Sequence, residues 1–128
     1  MEDEGIVTRV TTVWVGTDGI VRIIHVPGAD VTLEDAKETM AAYLQLNAGK
    51  RLPLFVDTKT MRSLAREARK YFAGEEAARV ASAVALIIET PVSRVLGNFY
   101  LGLSNPRLPT RLFTSESDAL EWLKGFLG

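Results

Sequence analysis

Short apolar runs rich in β-branched residues alternate along this chain with segments of helical periodicity, and this alternation limits the possible folds more than any other feature. The clearest unit joins a helix predicted over residues 33–48 to the run LPLFV at residues 52–56, which ends at Asp57. Such a short apolar run is typical of a buried parallel strand that follows a crossover helix. The sequence therefore predicts a βαβ unit and an α/β fold.

The remaining segments extend this unit in both directions. Strands are predicted over residues 6–16, 20–26, 82–89 and 110–113, and helices over residues 63–72, 75–81 and 92–103 and from the capping signature at 115–118 through 126. Asp18 and Gly19 indicate a hairpin between the first two strands, and Thr32 with Asp35 has the form of a helix-capping box. The order predicts a mostly parallel central sheet with an N-terminal β-hairpin and right-handed crossover helices.

Composition excludes several classes of function. The length suits a single domain over residues 1–128, and 15 basic against 16 acidic side chains leave a net charge of −1, which provides no general attraction for nucleic acid. Cysteine is absent and His25 is the single histidine, so thiolate chemistry and histidine-rich metal sites are excluded. We therefore expect no enzymatic activity, no cofactor and no metal.

The chain also lacks the signals for export or membrane insertion. Its acidic start, MEDEGIV, does not have the basic and then apolar pattern of a secretory signal. No apolar run approaches the roughly 20 residues that a membrane-spanning helix needs. A cytoplasmic location without membrane insertion is the expectation.

Four segments together resemble a known family. They are LFVDTKTMRSLAREARKY at 54–71, AVALII at 83–88, PVSRVLGNF at 91–99 and RLFTSESDALEWL at 111–123. In this order they resemble STAS domains, and in particular the SpoIIAA-like branch of anti-sigma-factor antagonists, which is related by fold to CRAL-TRIO lipid-transfer domains. The resemblance implies a STAS-like domain over nearly the whole chain, with regulatory protein binding as its function.

The resemblance also implies a regulatory site that this sequence does not match. In STAS proteins a strand ends in Asp, and a Ser at the start of the next helix can be phosphorylated by a partner kinase. The corresponding Asp-Ser pair falls on Ala65 and Arg66, which offer no hydroxyl group. Ser63, two residues earlier, is either a shifted phosphate acceptor or the cap of a helix that starts there.

Polar residues after the central strand form a candidate interaction or anion site. They are Asp57, Thr58, Lys59, Thr60, Arg62, Ser63 and Arg66. The carboxyl ends of strands are where open α/β sheets usually bind ligands, and a helix start provides free amide groups. The alternative is an exposed, solvated loop in which Asp57 accepts hydrogen bonds from turn amides.

The segment at residues 92–103 has apolar side chains on more than one helical face. A helix of this kind is normally buried, so it is a candidate dimer interface or wall of an apolar pocket, although an ordinary packed helix remains an equal alternative. The candidate residues are Val92, Val95, Leu96, Phe99, Tyr100 and Leu103.

By contrast, the basic run from Arg62 to Lys70 is interrupted by Glu67, which favours a solvated helix over a nucleic-acid surface. His25 has no acid or nucleophile close in sequence, so a satisfied core or edge histidine is favoured over a catalytic base.

Two functions remain open at this stage. The leading one is a non-enzymatic regulatory module that binds a protein partner, which the sequence does not identify, and forms a homodimer. The alternative is a carrier of a small apolar molecule or lipid. A pocket of about 300 Å³ or more lined by the helix at residues 92–103 would favour the carrier, whereas a filled core would favour the module.

Overall fold

The computed structural model describes residues 5–88 and 108–127 of the chain. Its strands are β1 (Ile6–Val7), β2 (Thr11–Val15), β3 (Val21–His25), β4 (Asp30–Val31), β5 (Leu52–Asp57), β6 (Ser63–Leu64), β7 (Ala81–Ile87) and β8 (Thr110–Phe113). Its helices are α1 (Leu33–Leu46), α2 (Arg66–Ala73), α3 (Glu75–Val80) and α4 (Glu116–Lys124). The predicted helix at residues 92–103, with its candidate interface residues, lies outside the described residues.

A six-stranded sheet forms the centre of the molecule, in the order β1-β2-β3-β5-β7-β8. β1, β2 and β3 pair antiparallel, whereas β3, β5, β7 and β8 pair parallel. Gly19, with a φ of 85°, provides the left-handed backbone that the turn between β2 and β3 requires. The predicted α/β class, the mostly parallel sheet and the N-terminal hairpin are confirmed.

The two faces of the sheet carry different helices because alternate strand residues point to opposite sides. On one face Ile23, Leu54 and Val84 pack with Met40 and Tyr43 of α1 and with α3. On the other, Ile20, Phe55, Ala85 and Ile87 pack with Ala119 and Leu123 of α4. We call these the α1–α3 face and the α4 face.

The first predicted strand is wrong. Residues 6–16 do not form one strand, because the chain reverses at residues 8–10 and β1 pairs back onto β2 with Ile6 opposite Val13. The side chain of Thr8 organises this turn, since its Oγ1 accepts hydrogen bonds from the amides of Val10 and Thr11 at 3.3 and 3.0 Å. A hydroxyl replaces the Gly, Asn or Asp that usually signals a turn.

The predicted helix start at Ser63 is also wrong. Ser63 lies in β6, which pairs with β4 in a separate two-stranded parallel ladder, and α2 begins only at Arg66. The preceding segment is less exposed than expected, because Thr58 and Met61 are only 6% and 5% exposed. A short non-local ladder therefore occupies the position that the sequence assigned to a helix cap.

Most other boundaries agree closely with the sequence. The capping box of Thr32 and Asp35 is present at the start of α1, and Ser115 caps α4 by accepting from the amide of Asp118. Gly74 separates α2 from α3 as predicted. Within the described part of the chain, α1 ends at Leu46 rather than residue 48, and α4 ends at Lys124 rather than residue 126.

Candidate functional site

Asp57 lies at the carboxyl end of β5, between β3 and β7, where the sequence predicted it. Its Oδ1 accepts a hydrogen bond from the amide of Lys59 at 2.9 Å, and its Oδ2 lies 3.8 Å from the Lys59 ammonium nitrogen. The same ammonium group lies 3.6 Å from Oε2 of Glu116 in α4. Asp57 therefore shapes the turn after the strand, as the solvated-loop alternative proposed, and Lys59 is balanced by two carboxylates.

The two threonines of the predicted site hold the backbone of neighbouring strands. Thr58 donates from its amide and from Oγ1 to the carbonyl of Ile87, at 3.1 and 2.7 Å, and so joins the loop to β7. Thr60 donates from Oγ1 to the carbonyl of His25 at 3.2 Å. These contacts make Thr58 and Thr60 structural links between strand ends.

Arg62 and Ser63 both bind Asp30 of β4. The Arg62 guanidinium contacts both carboxylate oxygens, and the Ser63 hydroxyl donates to Oδ1 at 2.6 Å. The hydrogen bonds from Arg62 and then from Ser63 hold the pKa of the Asp30 carboxyl well below its usual range. The Ser63 hydroxyl thus forms a side-chain hydrogen bond with Asp30 across the β4–β6 ladder.

A second ion pair lies beside this one and has no sequence signal. Arg9, in the turn before β2, donates from Nε and Nη2 to the two carboxylate oxygens of Asp35 at 2.8 and 2.5 Å, and from Nη2 to the Asp30 carbonyl at 3.3 Å. The Arg9 hydrogen bond lowers the pKa of Asp35 to about 2. The partners are 26 residues apart, and only the capping role of Asp35 is visible in the sequence.

The start of α2 carries the residues that correspond to the STAS Asp-Ser pair. Ala65 is the N-cap residue, with extended backbone and no side-chain capping bond, and Arg66 is the first helical residue. Arg66 is exposed and forms no ion pair with the residues that the structure describes. The helix start therefore presents the Arg66 guanidinium to solvent, next to the exposed carboxylate of Glu67.

The seven predicted site residues do not converge on one anion site. Asp57 and Lys59 are paired with each other, Arg62 and Ser63 are paired with Asp30, and Arg66 stands apart from both groups. Over residues 5–88 and 108–127 there is also no cluster of acidic and histidine side chains able to hold a metal ion. In the same ranges, no helix is long and apolar enough to cross a membrane.

A cavity of about 90 Å³, which the sequence did not reveal, lies between the sheet and the helices of the α1–α3 face. Its lining is almost entirely apolar, and at one end it reaches the site predicted from the sequence through Thr58. The described residues around it are Ile23, His25, Thr39, Met40, Tyr43, Leu54, Val56, Thr58, Met61, Leu64, Phe72, Ala77, Ala81, Val84, Leu86 and Leu108.

His25 provides the most distinctive polar group of this cavity. It ends β3, is 8% exposed, and its Nδ1 lies 2.9 Å from the carbonyl oxygen of Asp57. A carbonyl only accepts, so Nδ1 carries the proton and Nε2 is a hydrogen-bond acceptor. Burial lowers the pKa of His25, which keeps the ring neutral. The sequence-based view of His25 as a satisfied core histidine holds for Nδ1, whereas Nε2 makes no hydrogen bond to the described residues.

Comparisons with known proteins bear on the fold. A family model described as a domain of unknown function (DUF7793) matches residues 13–127. Among solved structures, the chain is similar to an uncharacterized protein of the DUF3478 family with a SpoIIAA-like fold from Shewanella loihica PV-4. The two are 17% identical with a TM-score of 0.61, over 93% of this chain and 99% of that one. The likeness establishes a SpoIIAA-like fold.

A second solved structure, a protein with unknown function from Arthrobacter sp. FB24, is 40% identical over 87% of this chain and 96% of that one, with a TM-score of 0.35. No curated protein matches the sequence significantly.

Proposed function

Because the chain belongs to the DUF7793 family, which is defined by a domain of unknown function, and has a SpoIIAA-like fold, we propose that it is a non-enzymatic module that binds a regulatory protein. The binding would resemble that of the anti-sigma-factor antagonists of the STAS family. The contact surface in this proposal includes the exposed start of α2.

The observation that carries the proposal is the chemistry of this helix start. Ala65 and Arg66 replace the Asp-Ser pair of the STAS resemblance, so no hydroxyl is available there for a kinase. Ser63 is the nearest hydroxyl, and it already donates to Asp30. In this proposal the module binds its partner without a phosphorylation switch, and Arg66 offers its charge to an acidic group of the partner.

The cavity volume weighs against a carrier of long-chain lipids. Sites for drug-sized ligands or lipids enclose about 300 Å³ or more. The cavity on the α1–α3 face, at about 90 Å³, is well below that range. A long acyl chain would not fit inside it, so lipid transport is the weaker proposal.

Crosslinking and co-purification from cells that express the tagged chain would test this function. We expect the unmodified chain to retain a defined protein partner. Arg66→Glu should reduce the amount of captured partner at least tenfold, because the reversed charge repels the acidic group of the partner. Lys124→Glu is the matched control, since it reverses an exposed charge on α4 at the opposite face of the sheet. Equal capture by Arg66→Glu and the unmodified chain would contradict the proposal.

The homodimer belongs to the same proposal and rests on the sequence of residues 92–103. Light scattering during size-exclusion chromatography should give the mass of a dimer for the unmodified chain. Phe99→Asp should shift it to a monomer, because a charge in an apolar interface is costly. A monomer for the unmodified chain would overturn this part.

A further inference from the structure

The cavity on the α1–α3 face is too large to be a packing defect of ordinary size. Protein interiors contain few voids larger than a water molecule, whose share of the liquid is about 30 Å³. The cavity, at about 90 Å³, is about three times that volume. Residues of β3, β5, β7 and β6 and of helices α1, α2 and α3 line this space, which is partly open rather than fully enclosed.

The side chains around this space are unsuited to water. A buried water needs two to four polar partners, and the walls consist of groups such as Met40, Leu54, Phe72 and Val84. Thr58 is engaged with the Ile87 carbonyl, and Thr39 shares a hydrogen bond of 2.9 Å with Thr11. Apolar cavities of this kind exclude water and accept small apolar molecules.

One polar atom breaks this pattern. Since Nδ1 of His25 is committed to the Asp57 carbonyl, the other ring nitrogen is an acceptor that no described residue satisfies. Among the described residues, the buried side-chain polar atom without a partner is the Ser82 hydroxyl oxygen, so Nε2 of His25 is accessible rather than sealed, and a hydroxyl donor placed beside it would add a hydrogen bond. Asp57, the charged residue close to the ring, presents its backbone carbonyl and directs its carboxylate toward Lys59.

We propose that the cavity is a binding site for a small apolar molecule with a single hydroxyl group, such as a small phenol or a short-chain alcohol. The apolar part of the molecule lies among Leu54, Val84 and the other wall residues, and its hydroxyl donates to Nε2 of His25. This site is independent of the protein-binding function proposed above, because it lies inside the α1–α3 face and does not use Arg66.

Phenol and toluene are suitable probes, because they have nearly the same size and shape but only phenol donates a hydrogen bond. Titration of the full chain, followed through methyl groups by nuclear magnetic resonance, should show saturable shifts for Ile23, Leu54 and Val84 and none for Ile20 and Leu123 on the α4 face. We expect phenol to bind about three- to tenfold more tightly than toluene, which corresponds to one net hydrogen bond.

Two variants test the hydrogen-bond acceptor and the cavity volume independently. His25→Phe keeps an aromatic ring but removes the acceptor, so phenol and toluene should bind with equal affinity. Ala77→Leu places additional carbon atoms in the cavity and should weaken both ligands at least tenfold. If Ala77→Leu does not fold, Val84→Ile provides a smaller filling of the same space. Leu123→Met on the α4 face replaces one side chain with another of similar volume, so it should leave the affinities for phenol and toluene unchanged.

The proposal is overturned if phenol causes no saturable shift in the cavity, or if its shifts map to the α4 face. It is equally overturned if toluene binds the unmodified chain as tightly as phenol, or if His25→Phe retains the preference for phenol. Capture of a partner by Arg66 variants reports on the other function alone, so the two proposals can fail separately.

Discussion

The two faces of the central sheet use the same strands but are packed in different ways. On the α4 face, Ala83, Ala85 and Ile87 of β7 meet Ala119 and Leu123, all of them 0% or 1% exposed. On the α1–α3 face, Val84 and Leu86 of the same strand border a cavity. Small side chains on one face thus let α4 approach closely, whereas the larger side chains of the other face leave space that the helices do not fill.

Polar contacts compensate for this incomplete packing on the α1–α3 face. The Tyr43 hydroxyl donates to the Val80 carbonyl at 2.5 Å and accepts from the amide of Leu52 at 3.1 Å, which ties α1 to β5 and to the end of α3. Arg9 and Asp35 join the turn between β1 and β2 to the start of α1. The α4 face relies mainly on apolar contact, so the two faces should respond differently to mutation and to pH.

The largest expected difference comes from removing a leucine on each face. Leu123→Ala should lower the free energy of unfolding by about 4–5 kcal/mol, because it leaves a void among fully buried neighbours. Leu54→Ala should cost about 2–3 kcal/mol, because this side chain already borders empty space and has fewer contacts to lose. Urea denaturation measures both, and a Leu54 variant that costs more than the Leu123 variant would reverse the comparison.

Adding one methylene group probes the cavity in the opposite direction. Val21→Ile should cost about 1–3 kcal/mol, since Val21 is fully buried and does not line the cavity. Val84→Ile should instead stabilise the protein by up to about 0.8 kcal/mol, because the added group enters the cavity. Both changes are on the α1–α3 face, so the sign of the effect reports the local space. Destabilisation by Val84→Ile equal to that by Val21→Ile would mean that the space is already filled.

Acid should weaken the ion pair that joins Arg9 to the start of α1. The pKa of Asp35 in the folded protein is about 2, below the usual value of 3.8, so its contribution is present above pH 4 and is lost as the pH falls toward 2. The loss should be about 1 kcal/mol, because Arg9 is 63% exposed and solvent screens the pair. Asp35→Asn should show a shallower decline of stability over this pH range. An unchanged decline in the variant would exclude this ion pair as its source.

The smallest expected effect concerns Ser63. Ser63→Ala removes one hydrogen bond to Asp30 and should cost less than about 1 kcal/mol, because the pair is partly exposed. Ser63→Asp should cost more, since a second carboxylate would face Asp30, whereas a serine that capped a helix would tolerate this change. Thermal unfolding of the two variants distinguishes the arrangements, and an aspartate variant as stable as the unmodified chain would support the helix cap.

The sequence predicted the elements that depend on local patterns. The apolar run before Asp57, the capping box of Thr32 and the break at Gly74 each carry a signal within a few residues. The sequence failed where pairing is non-local: β4 and β6 each have two residues, and their partners Asp30 and Ser63 lie 33 positions apart. The split of the first strand was missed because Thr8 makes a turn without a glycine or proline.

The candidate site was predicted in part for the same reason. The α/β pattern places residues that follow a central strand at the edge of the sheet, so the sequence correctly placed Asp57 and Lys59 next to each other there. The pairing of Arg62 with Asp30, rather than with a ligand, depends on the β4–β6 ladder. The cavity leaves no signal in the hydrophobic pattern, because a filled interior and a partly empty one can have the same sequence of apolar and polar residues.

The unequal packing of the two faces is the central claim, and crystals pressurised with xenon test it most directly. Xenon enters apolar cavities and does not enter well-packed cores. The account predicts xenon density beside Leu54 and Val84 on the α1–α3 face, and none between α4 and the sheet. Absence of xenon from the α1–α3 face, or equal occupancy beneath α4, would contradict it.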